Sequence, residues 1–269
     1  MTSAIDKAVR LLNDIDRSKH RSQVFADFCE LAYCALAKQA CPFLDQWDAL
    51  ETQYMDVVGR YRTKDDVRKM PEILALVLAG ISKGGRDVLG EIAGSIGALD
   101  SKLGQFFSPN EVSRLMAEIN LVNVDQMIEE QGFATVSEPA AGAVGMLLAL
   151  ADVIEDKGHC LETSIWIEAV ELSRSTFHMC YIQCAARGLA GKIIHGNSLS
   201  MDTYSSAYTA AAARFLAANG DPFARQKERV AQWEAEEHTH LSRLEAERND
   251  RRTRMAEGAP IAGEQLSLF

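Results

Sequence analysis

Nowhere in these 269 residues does an apolar run approach the ~18 consecutive residues that a membrane-spanning helix needs. The opening stretch, "MTSAIDKAVRLLNDIDRSKH", is polar and has no apolar signal-sequence core. These two absences point to a cytoplasmic protein with no membrane association. Paired cysteines are also missing. The six present (Cys29, Cys34, Cys41, Cys160, Cys180, Cys184) form no CxxC pair and mostly sit in apolar helical patterns, so reduced, buried thiols are expected and a metal site is not. Basic charge is short as well: 28 Lys and Arg against 38 Asp and Glu, a net charge of −10. That excludes a broad phosphate-binding face, because nonspecific DNA affinity comes from cations neutralising phosphates. Any DNA contact is local or delivered by a partner.

What is present is apolar material for a full core, 47% of the chain. Residues 1–100 read as a helical N-terminal region. "SQVFADFCELAYCALAKQ" and "MPEILALVLAGISKGGRDVLGEIAGSIGAL" repeat apolar residues at three- and four-residue steps, with Pro71 suited to a helix start and Gly84-Gly85 to a break. "SKLGQFFSPN" interrupts the pattern, and "NEVSRLMAEINLVNV" begins a new amphipathic helix with Glu111 in its first turn. From about 132 the period changes. "GFATVSEP", "SIWIEAVELS" and "KIIHGN" are short runs of β-branched and aromatic residues, each followed by a helical pattern, "SSAYTAAAARFLAA" being the last of these. This alternation signals βαβ units and a parallel sheet, hence an α/β fold over 101–223 behind the helices. Beyond 224, "ARQKERVAQWEAEEHTHLSRLEAERNDRRTRMAEG" mixes acids and bases among helix formers, as a solvated helical arm would, and residues 224–269 form a third region of arm and tail.

The strand at "ATVSE" runs into a small-residue turn and then a helix, and the next strand ends on an acid, Glu171. Backbone groups at such a turn approach a ligand, and a carboxylate one strand on accepts hydrogen bonds from ribose hydroxyls, which is what a nucleotide-containing cofactor needs. Three segments in order, "GQFFSP", "EPAAG" and "GNSL", resemble the N6-adenine DNA methyltransferase family related to modification subunits of type I restriction systems. The resemblance covers about residues 85–200. It implies a Rossmann-type methyltransferase domain and S-adenosylmethionine as cofactor. Gly104, Gln105, Phe106, Phe107, Ser108 and Pro109 match the segment packing over the cofactor's methionine part, although Phe106 and Phe107 equally suit a core. Glu138, Pro139 and Gly142 match the turn around the cofactor, Glu171 the acid on the ribose, and Asn197 the residue meeting the cofactor's adenine.

Departures from the family are as clear. Val144 stands where a second glycine is common. No [DNS]-P-P-[FY] tetrapeptide, the family's adenine-positioning segment, occurs among the six prolines. "NGDPF", Asn219 to Phe223, has one proline and follows a helical run, so the catalytic residues stay unassigned. Too few residues follow the third strand for a full sheet, leaving an edge beside the first strand for a partner chain, a second copy or the N-terminal helices to cover. His178 and His195 read as satisfied or half-buried side chains.

The chain stops on Gln265-Leu266-Ser267-Leu268-Phe269, behind the loose linker "EGAPIAGE". This pentapeptide resembles the peptide by which bacterial replication and repair proteins bind the DNA sliding clamp, and implies the clamp as partner. Docking of the tail on its own domain is the alternative.

Overall fold

A computed structural model describes residues 3–41, 44–82, 84–98 and 110–256. Its contacts separate two units, Met1–Gly220 and Asp221–Phe269. In the first, α1 (Ala4–Asp14) starts from a capping box in which Ser3 and Asp6 exchange hydrogen bonds. It is followed by α2 (Arg21–Ala40), α3 (Leu44–Gly59), α4 (Lys64–Ile81) and α5 (Val88–Ser95). The central helix is α2, buried around its circumference from Val24 and Phe25 to Cys34 and Ala37. Its buried Asp27 accepts hydrogen bonds from Arg60 (2.7 Å), Tyr61 (2.9 Å) and Gln23 (2.9 Å), which balances the cost of burying a carboxylate.

Pro71 lies inside α4 and does not begin it. The stripe Val67, Met70, Ile73, Val77 and Ile81 runs straight through the proline, and packing along it keeps one helix where local propensity favours a start. The break expected at Gly84-Gly85 is present, both glycines having positive φ between α4 and α5.

The rest of this unit alternates: α6 (Asn110–Asn120), α7 (Val124–Gln131), β1 (Ala134–Glu138), α8 (Gly145–Asp156), α9 (Leu161–Ser164), β2 (Ile165–Glu171), α10 (Arg174–Arg187), β3 (Ala190–Asn197), β4 (Asp202–Tyr208) and α11 (Ala210–Asn219). The sheet order is β1-β2-β3-β4; the first three strands are parallel and β4 runs antiparallel to β3. The expected α/β fold with a mostly parallel sheet is therefore what forms. Gly191 permits the close pairing of β2 and β3, since a Cβ there would lie 2.1 Å from the Ile167 carbonyl oxygen.

β4 is a correction to the sequence reading, which placed Ser205–Tyr208 in a helical run. As an edge strand, exposed at six of its seven positions and half-buried at Ala207, it needs no apolar alternation, so no period-2 pattern marks it. One core joins α1, α2, α4 and α5 to α8, α10 and the inner faces of β2 and β3. On the opposite face Phe215 of α11 meets Phe133 and Trp166, each at 5.1 Å between ring centroids. Beside the outer edge of β1, α6 and α7 border a groove of about 330 Å³ lined by Ala117, Leu121 and Val124. Cys29, Cys34, Cys180 and Cys184 are buried as expected, whereas Cys160 is exposed.

In the second unit, α12 (Ala224–Ala256) is a long helix of mixed charge, as its composition foretold. Residues 257–269, with the pentapeptide, lie outside the described residues.

Candidate functional site at the strand ends

β1, β2 and β3 are parallel and finish on Glu138, Glu171 and Asn197, so the three residues singled out from the sequence end neighbouring strands. Gly104, Gln105, Phe106, Phe107, Ser108 and Pro109 lie outside the described residues. Asn219, the first residue of "NGDPF", donates its side-chain amide to the Thr163 carbonyl at 2.8 Å and so ties α11 to α9.

After β1 the chain turns tightly. The Glu138 carboxylate accepts the Ala140 N–H (3.1 Å), and the Ala141 N–H reaches the Val170 carbonyl of β2 (2.9 Å). Gly142 has φ +55° and donates its N–H to Glu171 Oε2 at 2.9 Å, while Glu171 Oε1 accepts the Ser173 N–H at 2.8 Å. One carboxylate thus joins the turn after β1 to the start of α10. Each of its oxygens keeps a second lone pair, the geometry needed to accept two ribose hydroxyls. A Cβ built on Gly142 would meet no atom of the described residues within 4 Å, so none of them fills the space in front of the turn. The N-terminus of α8, capped by no side chain of the described residues, follows directly and offers N–H donors there. These residues fit an adenosyl cofactor. Asn197 accepts the Leu199 N–H through Oδ1 at 3.0 Å, which leaves its amide N–H groups available.

Val144, the departure from the glycine pattern, takes φ +69° and is fully buried. The turn keeps the left-handed geometry that glycine adopts freely, at a strain of about 1–3 kcal/mol for a β-branched residue. What holds it is a residue that sequence reasoning missed. Gln183 on α10, fully buried, donates Nε2–H to the Ala143 carbonyl (2.5 Å) and to Asp87 Oδ1 (2.8 Å), and its Oε1 accepts the Leu89 N–H (3.2 Å). Asp87 in turn caps α5 through the Gly90 N–H at 2.7 Å. Burial pushes the Asp87 carboxyl up to about 6, and its Oδ2 has no hydrogen-bond partner among the described residues. The N-terminal helices therefore brace the turn through two polar side chains. The only sequence signal was a glutamine among apolar neighbours in "CYIQCAA".

A family model for N-6 DNA methylases matches residues 90–248, more than half of the chain. No curated protein matches the sequence. Among solved structures, a type I restriction-modification system methyltransferase subunit from Streptococcus thermophilus is 15% identical with a TM-score of 0.40, over 74% of this chain and 58% of that one. A protein described as a class I S-adenosylmethionine-dependent methyltransferase from Listeria monocytogenes is 13% identical with a TM-score of 0.38, over 73% of this chain and 52% of that one. The chain spans little more than half the length of either.

Proposed function

This chain belongs to the N-6 DNA methylase family, and from that premise we propose that it binds S-adenosylmethionine across the ends of β1, β2 and β3 and acts in DNA N6-adenine modification. The observation that carries the reading is the Glu171 carboxylate bonded to the Gly142 N–H, because it unites the small-residue turn and the ribose-accepting acid. Glu171 holds the ribose, the turn at 138–145 and the α8 N-terminus receive the methionine end, and Asn197 meets the adenine. Gln183 and Asp87 keep the turn in place. The cofactor supplies an electrophilic methyl group; this chain's residues bind and orient it. The tail 265–269 tethers the protein to the DNA sliding clamp in the cytoplasm, which brings a chain of net charge −10 to DNA without a basic face. A five-residue peptide of this kind supports roughly micromolar affinity, near −8 kcal/mol.

A second reading, a catalytically silent member that binds cofactor and modulates restriction-modification or replication, draws on the missing [DNS]-P-P-[FY] segment and on β1 standing at the sheet edge. Calorimetry with S-adenosylmethionine followed by labelled-methyl transfer to unmethylated DNA separates the two. Binding with transfer supports the first, binding without transfer the second, and no binding at millimolar cofactor removes both. Deleting 265–269 abolishes clamp binding and leaves the melting temperature unchanged if the tail is a tether.

A further inference from the structure

Alongside β4 lies a cleft of about 820 Å³ bounded by α2, α3, α10 and α11. Its wall carries a continuous line of rings. Tyr33 stacks on His178 with centroids 4.7 Å apart, His178 lies 5.5 Å from Phe177, Phe177 stacks on His195 at 5.5 Å, and His195 meets Tyr204 edge-on at 5.1 Å. The lining also includes Ala37, Ala212 and Ala213, whose small side chains leave the space open.

Two members of the line are deeply buried polar groups. Tyr33 is 6% exposed and His178 3%. Neither the Tyr33 hydroxyl nor the His178 imidazole has a hydrogen-bond partner among the described residues, whereas the sequence suggested a satisfied or half-buried histidine. Their polar atoms are not among the buried unpaired ones of the described residues, so they open onto the cleft, where water or a ligand is their partner. Burial, with Arg174 and His195 nearby, lowers the His178 pKa to about 3, so at neutral pH its ring presents one donor and one acceptor. Arg174, the charged residue among the described lining, is engaged by Glu30 at 2.8 Å, so the cleft asks no charge of what fills it.

We propose that this cleft is a second small-molecule site, which takes an uncharged, planar nitrogen heterocycle, stacked along the ring line with its hydrogen-bonding edge on Tyr33 and His178. Its volume lies within the range of ligand pockets, roughly 300–1,000 Å³. Aromatic walls select planarity, because stacked and edge-on ring contacts are favourable only for flat π-systems. The unpaired imidazole and hydroxyl select nitrogen and carbonyl groups over plain hydrocarbon.

The cleft adjoins the strand-end site, since His195 stands in register with Glu171. The probe must therefore lack what Glu171 recognises, and adenine, with no ribose, does. Adenine is titrated into the full chain, followed by calorimetry and by the NMR signals of the histidine side chains. It is expected to shift the His178 and His195 resonances, with equal affinity in Glu171→Ala. Affinity falls at least tenfold in His178→Phe, which keeps the ring and removes both hydrogen-bonding atoms. It falls as far in Ala213→Trp, which fills the cleft from an exposed position on α11 and so leaves the fold intact. No shift at millimolar adenine overturns the proposal, as does unchanged affinity in Ala213→Trp. Displacement of adenine from the cleft by S-adenosylmethionine also overturns it, since the cleft would then belong to the cofactor site.

Discussion

The turn after β1 and the cleft beside β4 treat their polar side chains in opposite ways. Around the turn, Glu171 holds two backbone N–H groups and Gln183 holds a carbonyl, an N–H and the Asp87 carboxylate. In the cleft, Tyr33 and His178 hold nothing by hydrogen bonds among the described residues. A turn braced this way, its strained Val144 included, is preorganised and needs no ligand to take its shape. A wall whose donors and acceptors open onto a cleft bonds to water until a ligand displaces it.

The largest effect should come from cutting the brace. Gln183→Leu keeps the bulk but strands the Ala143 carbonyl, the Leu89 N–H and Asp87, and should lower unfolding stability by about 3–5 kcal/mol in urea titrations. A loss under about 1 kcal/mol would show that the turn holds itself and would erase the contrast.

Asp87 comes next. Its folded pKa, about 6, is raised above the ordinary 3.8 by burial, so the stability it contributes is complete below about pH 4 and is lost as pH rises through about 6. The shift corresponds to on the order of 3 kcal/mol across that window. Asp87→Asn keeps an oxygen for Gln183 and Gly90 and should remove this part of the pH dependence. The measurement is the difference between wild-type and variant unfolding free energies at pH 4 and pH 7; parallel profiles would refute it.

Glu171→Ala should weaken S-adenosylmethionine by roughly 1–3 kcal/mol, about 5- to 150-fold, by loss of charged hydrogen bonds, as calorimetry would read. Wild-type affinity in that variant would detach the acid from the cofactor site. Tyr33→Phe should do least. It removes a hydroxyl that holds nothing, so stability should stay within about 1 kcal/mol of wild type or rise slightly. A loss like that of Gln183→Leu would mean that the hydroxyl is bonded in solution and that the cleft resembles the turn after all.

Much of this could be read directly. Strands β2 and β3 announced themselves through β-branched runs, since a buried parallel strand is largely apolar along its length, and the shorter, partly exposed β1 did so through its place just before the small-residue turn. Glu171 was legible because an acid ending the strand after a small-residue turn is a local pattern. β4 was not, because an exposed edge strand is under no apolar constraint. The helix through Pro71 was not, because packing outweighed local propensity.

Composition and local pattern by themselves determined the α/β class, the places of the first three strands along the chain, the turn and its acid, and a charged helical arm beyond residue 224. Only the tertiary structure decided that Gln183, 40 residues from Ala143, holds the turn, that Asp87 joins it from the N-terminal helices, and that Tyr33 and His178, distant in sequence, stack 4.7 Å apart. Periodicity records which face of an element is apolar. It carries no information on which polar side chain meets which backbone group across the core, because that depends on how separate helices pack against the sheet.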